Sequence, residues 1–235
     1  MTTTNQKKDQ SAAQTTAQQP ARGRFIAIEG VDGAGKGVQS RLLQSALQAC
    51  GIDVVLTREP GGSPGAEEIR TLLVQGAADK WDAMTELLLI YAARNSHVNQ
   101  TIEPALAAGR WVISDRFADS SRAFQGCAGG LGLDKVERMH AEVLGNFAPD
   151  LTLVLDLDPA TALARTVARG GKEDRFEKKG LAYQQAVRAG FLELARRSPA
   201  THVLIDADSS VEAVAASIRQ ALAARLQLTI AGSQT

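Results

Sequence analysis

Apolar residues gather in short blocks separated by longer segments with helical spacing. Strand-like runs fall at 25–29, 52–57, 111–114, 151–156 and 202–206. Between them, apolar positions recur at helical intervals over 36–49, 66–74, 84–108, 134–147, 159–168, 180–197 and 210–226. Strands alternating with helices predict an α/β domain built on a five-stranded parallel sheet with helices on both faces. In such sheets ligands sit beyond the carboxyl ends of the strands. Two helix starts carry recognisable caps: Ser209 or Ser210 ahead of 211–226, and Asp158-Pro159 ahead of 160–168. No internal repeat interrupts the pattern.

Composition narrows the picture. A chain of 235 residues, 44% hydrophobic and with a formal net charge of zero, suits one α/β domain. A neutral balance and 4% aromatic residues argue against a nucleic-acid binder, whose footprint is usually a broad basic surface. Cys50 and Cys127 match no metal spacing and no disulfide framework, so a reducing cytoplasm is the expected compartment. No apolar run approaches the length of a membrane span. Residues 1–23 are rich in Gln, Thr, Ala and Lys and predict a disordered polar tail. The patterned part of the chain covers 24–227, and 228–235 reads as a frayed end.

The strongest chemical signal follows the first strand. Gly30-Val31-Asp32-Gly33-Ala34-Gly35-Lys36 has the spacing GxxxxGK. Glycines let successive backbone N–H groups turn inward around an anion, and the next helix adds its positive end. Lys36 adds a full charge that can follow a migrating phosphoryl group. This is the phosphate-cradling loop of enzymes that use nucleoside triphosphates, without its final Ser/Thr. A second signal follows the strand at 111–114: Asp115-Arg116, then Phe117 to Gly126. An arginine there can grip a phosphate as a fork, and the aspartate can steer it or help hold hydrated magnesium.

Taken whole, residues 115–126 resemble the thymidylate kinase signature DR(F/Y)xxSxxA(F/Y)QG. Three further segments fit the same family in order: Arg58-Glu59-Pro60-Gly61-Gly62, the run ELLLIYAAR ending at Arg94, and Asp174-Arg175-Phe176-Glu177. The resemblance spans about residues 24–226 and is to the bacterial-type thymidylate kinases, nucleoside-monophosphate kinases of the P-loop fold. It implies transfer of the γ-phosphoryl of ATP to dTMP, with Mg2+, by a homodimer packed through helices, for which 84–93 is a candidate face. It implies that Gly30 to Val38 wrap the ATP phosphates and that Asp32 binds the sugar 3′-hydroxyl of dTMP. Glu59 would close the monophosphate site and hold its water or magnesium. Arg70 and Arg116 would reach the monophosphate, and Arg94 the 4-oxo edge of thymine. Ser121 and Gln125 would line the base and sugar pocket, with Phe124 beside the deoxyribose. A mobile basic lid is implied at about 169–179, from which Arg169 and Arg175 would stabilise charge on the transferring phosphoryl. Asp115 or Glu59, through water, would be the magnesium contact.

Two positions depart from the family pattern. Gly37-Val38 stand where the loop usually supplies a hydroxyl to magnesium. Magnesium can keep several waters and bind chiefly through substrate phosphates. Ile90 stands where the family commonly stacks a phenylalanine on thymine, with Tyr91 beside it. These departures leave two other readings open: a kinase for another nucleoside monophosphate, or a nucleotide-binding protein without turnover.

Overall fold

The computed structural model describes residues 21–169 and 175–228. Five strands form one parallel sheet: β1 (Phe25–Gly30), β2 (Val54–Arg58), β3 (Trp111–Asp115), β4 (Leu151–Asp156) and β5 (His202–Asp206). Their order is β2-β3-β1-β4-β5. β1 is central and every one of its residues is buried. Its alternate residues feed different cores. Ile26 and Ile28 pack with Leu43, Leu47, Val187 and Phe191, while Phe25 and Ala27 pack with Ile102, Leu106 and Phe117. That alternation is the two-residue period of a strand covered on both faces.

The helices are α1 (Lys36–Ala49), α2 (Pro64–Val74), α3 (Ala83–His97), α4 (Glu103–Ala107), α5 (Ala118–Ser121), α6 (Leu133–Leu144), α7 (Pro159–Arg169), α8 (Leu181–Arg197) and α9 (Val211–Leu226). Both expected caps form. Ser210 accepts from the Ala213 N–H, and Asp158 accepts from the N–H groups of Ala160 and Thr161.

The chain departs from the expected pattern in four places. The segment 84–108 is not one regular helix: Val98–Ile102 winds as a π-turn between α3 and α4. Pro104 follows directly; it has no N–H to donate to the preceding turn and its ring crowds that turn's carbonyl. Residues 118–128, read only as a motif, are helical, with a π-turn over Arg122–Ala128. The helix expected at 134–147 stops at Leu144, where Gly145 takes φ 60. Finally, Arg22 and Gly23, read as tail, are tied to α4: Arg22 forks onto Glu103 and the Gly23 N–H donates to the Leu106 carbonyl. Residues 1–20 and 229–235, most of the two expected frayed ends, lie outside the described residues.

The sheet order decides where chemistry sits. From β1 the chain goes out to β2, returns to β3 at one side of β1, then crosses to β4 at the other. The reversal opens a crevice at the carboxyl end of β1. Residues 30–36 fill it.

Candidate active site

The loop after β1 turns tightly enough to enter α1 directly. Gly33 takes φ 86, and a Cβ there would run into the Ala162 carbonyl of α7, so only glycine fits. Val31 and Ala34 point into the core and anchor the loop. Lys36 is buried and folds back over the loop, donating to the carbonyls of Gly30 (3.1 Å) and Val31 (2.8 Å). Burial, then the neighbouring Arg116, pull its ammonium down to about 8, against Asp115, Asp32 and Glu29. The Val38 and Gln39 N–H groups donate to the Gly35 carbonyl, while the very first N–H groups of a helix lack intrahelical carbonyls, which makes this end of α1 a candidate anion site.

Three buried carboxylates organise the wall beside this loop. Glu29, at the end of β1, accepts from the N–H of Phe117 (2.8 Å), the N–H of Ser120 (3.1 Å) and the hydroxyl of Ser120 (2.6 Å). These bonds fasten the turn after β3, in which Arg116 takes φ 74. A non-glycine residue in the left-handed region is strained, and the surrounding bonds hold it there. Arg116 then reaches the Gly30 carbonyl (3.0 Å), the Ser120 hydroxyl (2.9 Å) and the Asp32 carboxylate (2.6 Å). Burial, reinforced by Asp119, pushes the Glu29 carboxyl up to about 7.

Glu59 is the second. Its Oε2 accepts from Arg94 Nε (2.7 Å), and its Oε1 pairs with His97 Nδ1 (3.1 Å). Arg94 also donates to the Ser121 hydroxyl and the Phe117 carbonyl, both at 3.0 Å. A guanidinium has five N–H donors, so protein bonds do not exhaust it. The third is Glu86, which accepts from Gln125 (2.9 Å), Arg175 (2.6 Å) and Lys179 (2.6 Å).

These side chains surround one cavity. Its wall contains Asp32, Glu59, Arg70, Arg94, Arg116, Ser121, Phe124 and Gln125, all expected from the sequence, together with Ile90, Phe117, Ser120 and Phe176. Arg70 donates to the Pro60 carbonyl (2.6 Å). Ile90 gives the wall an aliphatic patch, while Tyr91 turns away to His140.

Other expected residues fall elsewhere. Asp115 lines a neighbouring pocket with Gly37, Ser40 and Arg41. Its carboxylate makes no hydrogen bond or ion pair with any described residue, whereas both oxygens of Glu59 are occupied. Gly37 has ordinary backbone angles; a Cβ there would sit 3.4 Å from Asp115 Oδ2 and 3.7 Å from Arg41 Nη1, within normal contact. Arg175 is the residue expected to face a transferring phosphoryl. It is fully buried and ion-paired to Glu86, and it also donates to the carbonyls of Leu73, Ala77 and Trp81. A guanidinium so enclosed is spent on anchoring. Arg169 ends α7, and its side chain lies outside the described residues, as do residues 170–174 of the expected lid.

Sequence reasoning missed Glu29, Glu86 and His97. A signal existed for the two glutamates. Each is an acid inside an apolar run, where a charge is costly unless paired.

Comparison with known proteins now decides the family. The family model for thymidylate kinase matches residues 28–218. The chain belongs to the thymidylate kinase family. A thymidylate kinase of Ruegeria pomeroyi is 52% identical over 207 residues, covering 88% of this chain and 98% of the relative. One from Caulobacter vibrioides is also 52% identical over 207 residues, covering 88% and 99%. The crystal structure of thymidylate kinase from Ehrlichia chaffeensis superposes with a TM-score of 0.70 at 30% identity, covering 86% of this chain and 99% of that one.

The depressed Lys36 ammonium yields a pH prediction. An anion on the loop favours the charged lysine, so binding must take up a proton near pH 8 and weaken as pH rises through that value. Calorimetric titration with ADP at pH 8, in two buffers of different ionisation enthalpy, should show net proton uptake that Lys36→Met abolishes. Identical heats in both buffers would contradict the assignment.

Proposed function

We propose that the chain transfers the γ-phosphoryl of ATP to dTMP, giving dTDP and ADP. The observation that carries the reading is the polarity of the cavity wall. Arg94 offers only donors. Gln125 gives its amide N–H to Glu86, which leaves its carbonyl Oε1 as an acceptor; that oxygen is buried and meets no protein donor. Thymine presents the complement, an acceptor at O4 and a donor at N3–H. Cytosine presents the reverse, a donor at N4 and an acceptor at N3. The aliphatic Ile90 suits a 5-methyl group, and the ring of Phe124 leaves little space for a 2′-hydroxyl.

Arg116 and Arg70 bind the monophosphate, and Asp32 the 3′-hydroxyl, on the side of the cavity next to the loop. In the reaction a monophosphate oxygen of dTMP attacks the γ-phosphorus in line. A new P–O bond forms, the bond to the β–γ bridging oxygen breaks, and ADP departs. Phosphoryl transfer asks the protein for positioning and counter-charge. Lys36 supplies that charge from the loop. Arg169, which the family resemblance assigns to the lid, supplies further counter-charge. Among the described residues no three potential metal ligands converge. Magnesium would be held chiefly by the nucleotide phosphates, and Asp115, whose carboxylate stands beside Gly37, would hold its water shell. When bound, the ion neutralises charge on the β- and γ-oxygens.

We also infer a homodimer through α3. Met84 and Leu88 stand one turn apart on its outer face, and Leu88 is half exposed. The two unpaired cysteines suit a reducing cytoplasm.

An ADP-release assay with ATP, magnesium and each of dTMP, dUMP, dCMP, UMP, CMP, AMP and GMP tests the function. dTMP should lead, with dUMP lower by roughly tenfold or more for the missing methyl and dCMP lower by roughly 10⁴ for the reversed polarity. Comparable use of dCMP, or no turnover with any monophosphate, would refute the proposal. For the dimer, sedimentation equilibrium should give twice the chain mass, and Leu88→Asp should yield monomer. A monomeric wild type would remove α3 as an interface.

A further inference from the structure

Glu86 is neither at the phosphate loop nor in the cavity wall, yet it is wholly buried on α3 and carries three partners from two segments. Its Oε2 accepts from Gln125 Nε2 at 2.9 Å. Its Oε1 accepts from Arg175 Nη2 and Lys179 Nζ, each at 2.6 Å. Arg175 is in turn stitched to the α2–α3 connection through the carbonyls of Leu73, Ala77 and Trp81. One carboxylate thus joins the arm that follows the lid to a residue of the base pocket.

The chemistry of that contact is asymmetric. A primary amide can present either its NH₂ or its carbonyl to a neighbour, and the two orientations differ by a simple flip. A carboxylate accepts only. Facing Glu86, Gln125 must therefore present NH₂, which leaves its carbonyl Oε1 turned away from Glu86, buried and without a protein donor, on a residue that lines the cavity. Arg175 and Lys179 both donate to the other oxygen of Glu86 and fix the carboxylate in place, so Gln125 meets an acceptor there. An amide free to flip would offer NH₂ to the cavity and donate to N3 of cytosine equally well.

We propose that Glu86 is a positioning residue for base selection: it locks the amide of Gln125 with its acceptor toward the nucleobase, and Arg175 and Lys179 lock Glu86. This rests on the dTMP kinase reading above. Glu86 touches no substrate and acts wholly through Gln125.

The test compares Glu86→Gln, Gln125→Ala and the double variant, each checked for folding by circular dichroism. In Glu86→Gln either amide orientation of Gln125 finds a partner. The ratio of kcat/KM for dTMP over dCMP should fall roughly tenfold or more, mainly through KM for dTMP, with KM for ATP little changed. Because Glu86 acts through Gln125, adding Glu86→Gln to Gln125→Ala should leave that ratio where Gln125→Ala alone puts it. A folded Glu86→Gln with the wild-type ratio, or equal further loss in the Gln125→Ala background, would overturn the proposal. Should Glu86→Gln not fold, the wild type still decides. In ¹⁵N-labelled protein the Gln125 side-chain NH₂ signal, assigned by its loss in Gln125→Ala, should exchange slowly with solvent both before and after dTMP binds. Fast exchange in either state would overturn it. If wild type does not use dTMP at all, the functional reading fails first, and the amide signal still reports on Glu86.

Discussion

The site depends on one constraint: a charge taken out of water must be matched by a partner. Three glutamates are buried around the crevice, and each holds groups from a distant segment. Glu29 fastens the turn that presents Arg116. Glu59 holds Arg94 and His97. Glu86 holds Gln125, Arg175 and Lys179. Removing a partner from such a set would leave a buried charge unpaired, which costs far more than the pair contributes. The sheet sets the location of the crevice, and these carboxylates set the angle of each side chain within it.

This arrangement explains the division of labour among the arginines. Arg94 and Arg116 keep one side toward the cavity while a carboxylate or carbonyl holds the other. Arg175 is enclosed on every side and serves the scaffold. A preorganised donor such as Arg94 needs no rearrangement when substrate arrives, which is the economical way to use a fixed charge. The Arg116–Asp32 ion pair sits apart from the buried sets, because it is only part-buried and lies across the mouth of the loop. It can exchange one anion for another.

Much of the scaffold was legible in the sequence because its cause is local. Apolar blocks between capped helices specify five strands, and the glycine spacing after the first strand specifies a phosphate loop. Eight expected wall residues, from Asp32 to Gln125, do converge on one cavity. What escaped is nonlocal. Nothing near Glu86 announces that Arg175, 89 residues later, closes on it. The lid-like run of charges around Arg175 gave no sign that one member turns inward. The π-turns at 98–102 and 122–128 also have no periodic signature of their own. Arg94 shows the reverse case. A charge ending an apolar helical run has to be paired, and it is, by Glu59.

We propose that the base end of the cavity is built before substrate arrives, and a crystal structure with dTMP bound tests this most directly. The Glu59–Arg94 and Glu86–Gln125 bonds should persist unchanged, with Arg94 and Gln125 on the thymine edge and Arg116 turned from Asp32 to the monophosphate. Thymine bound with either glutamate pair broken, or dTMP in the cavity with Arg116 still on Asp32, would contradict it.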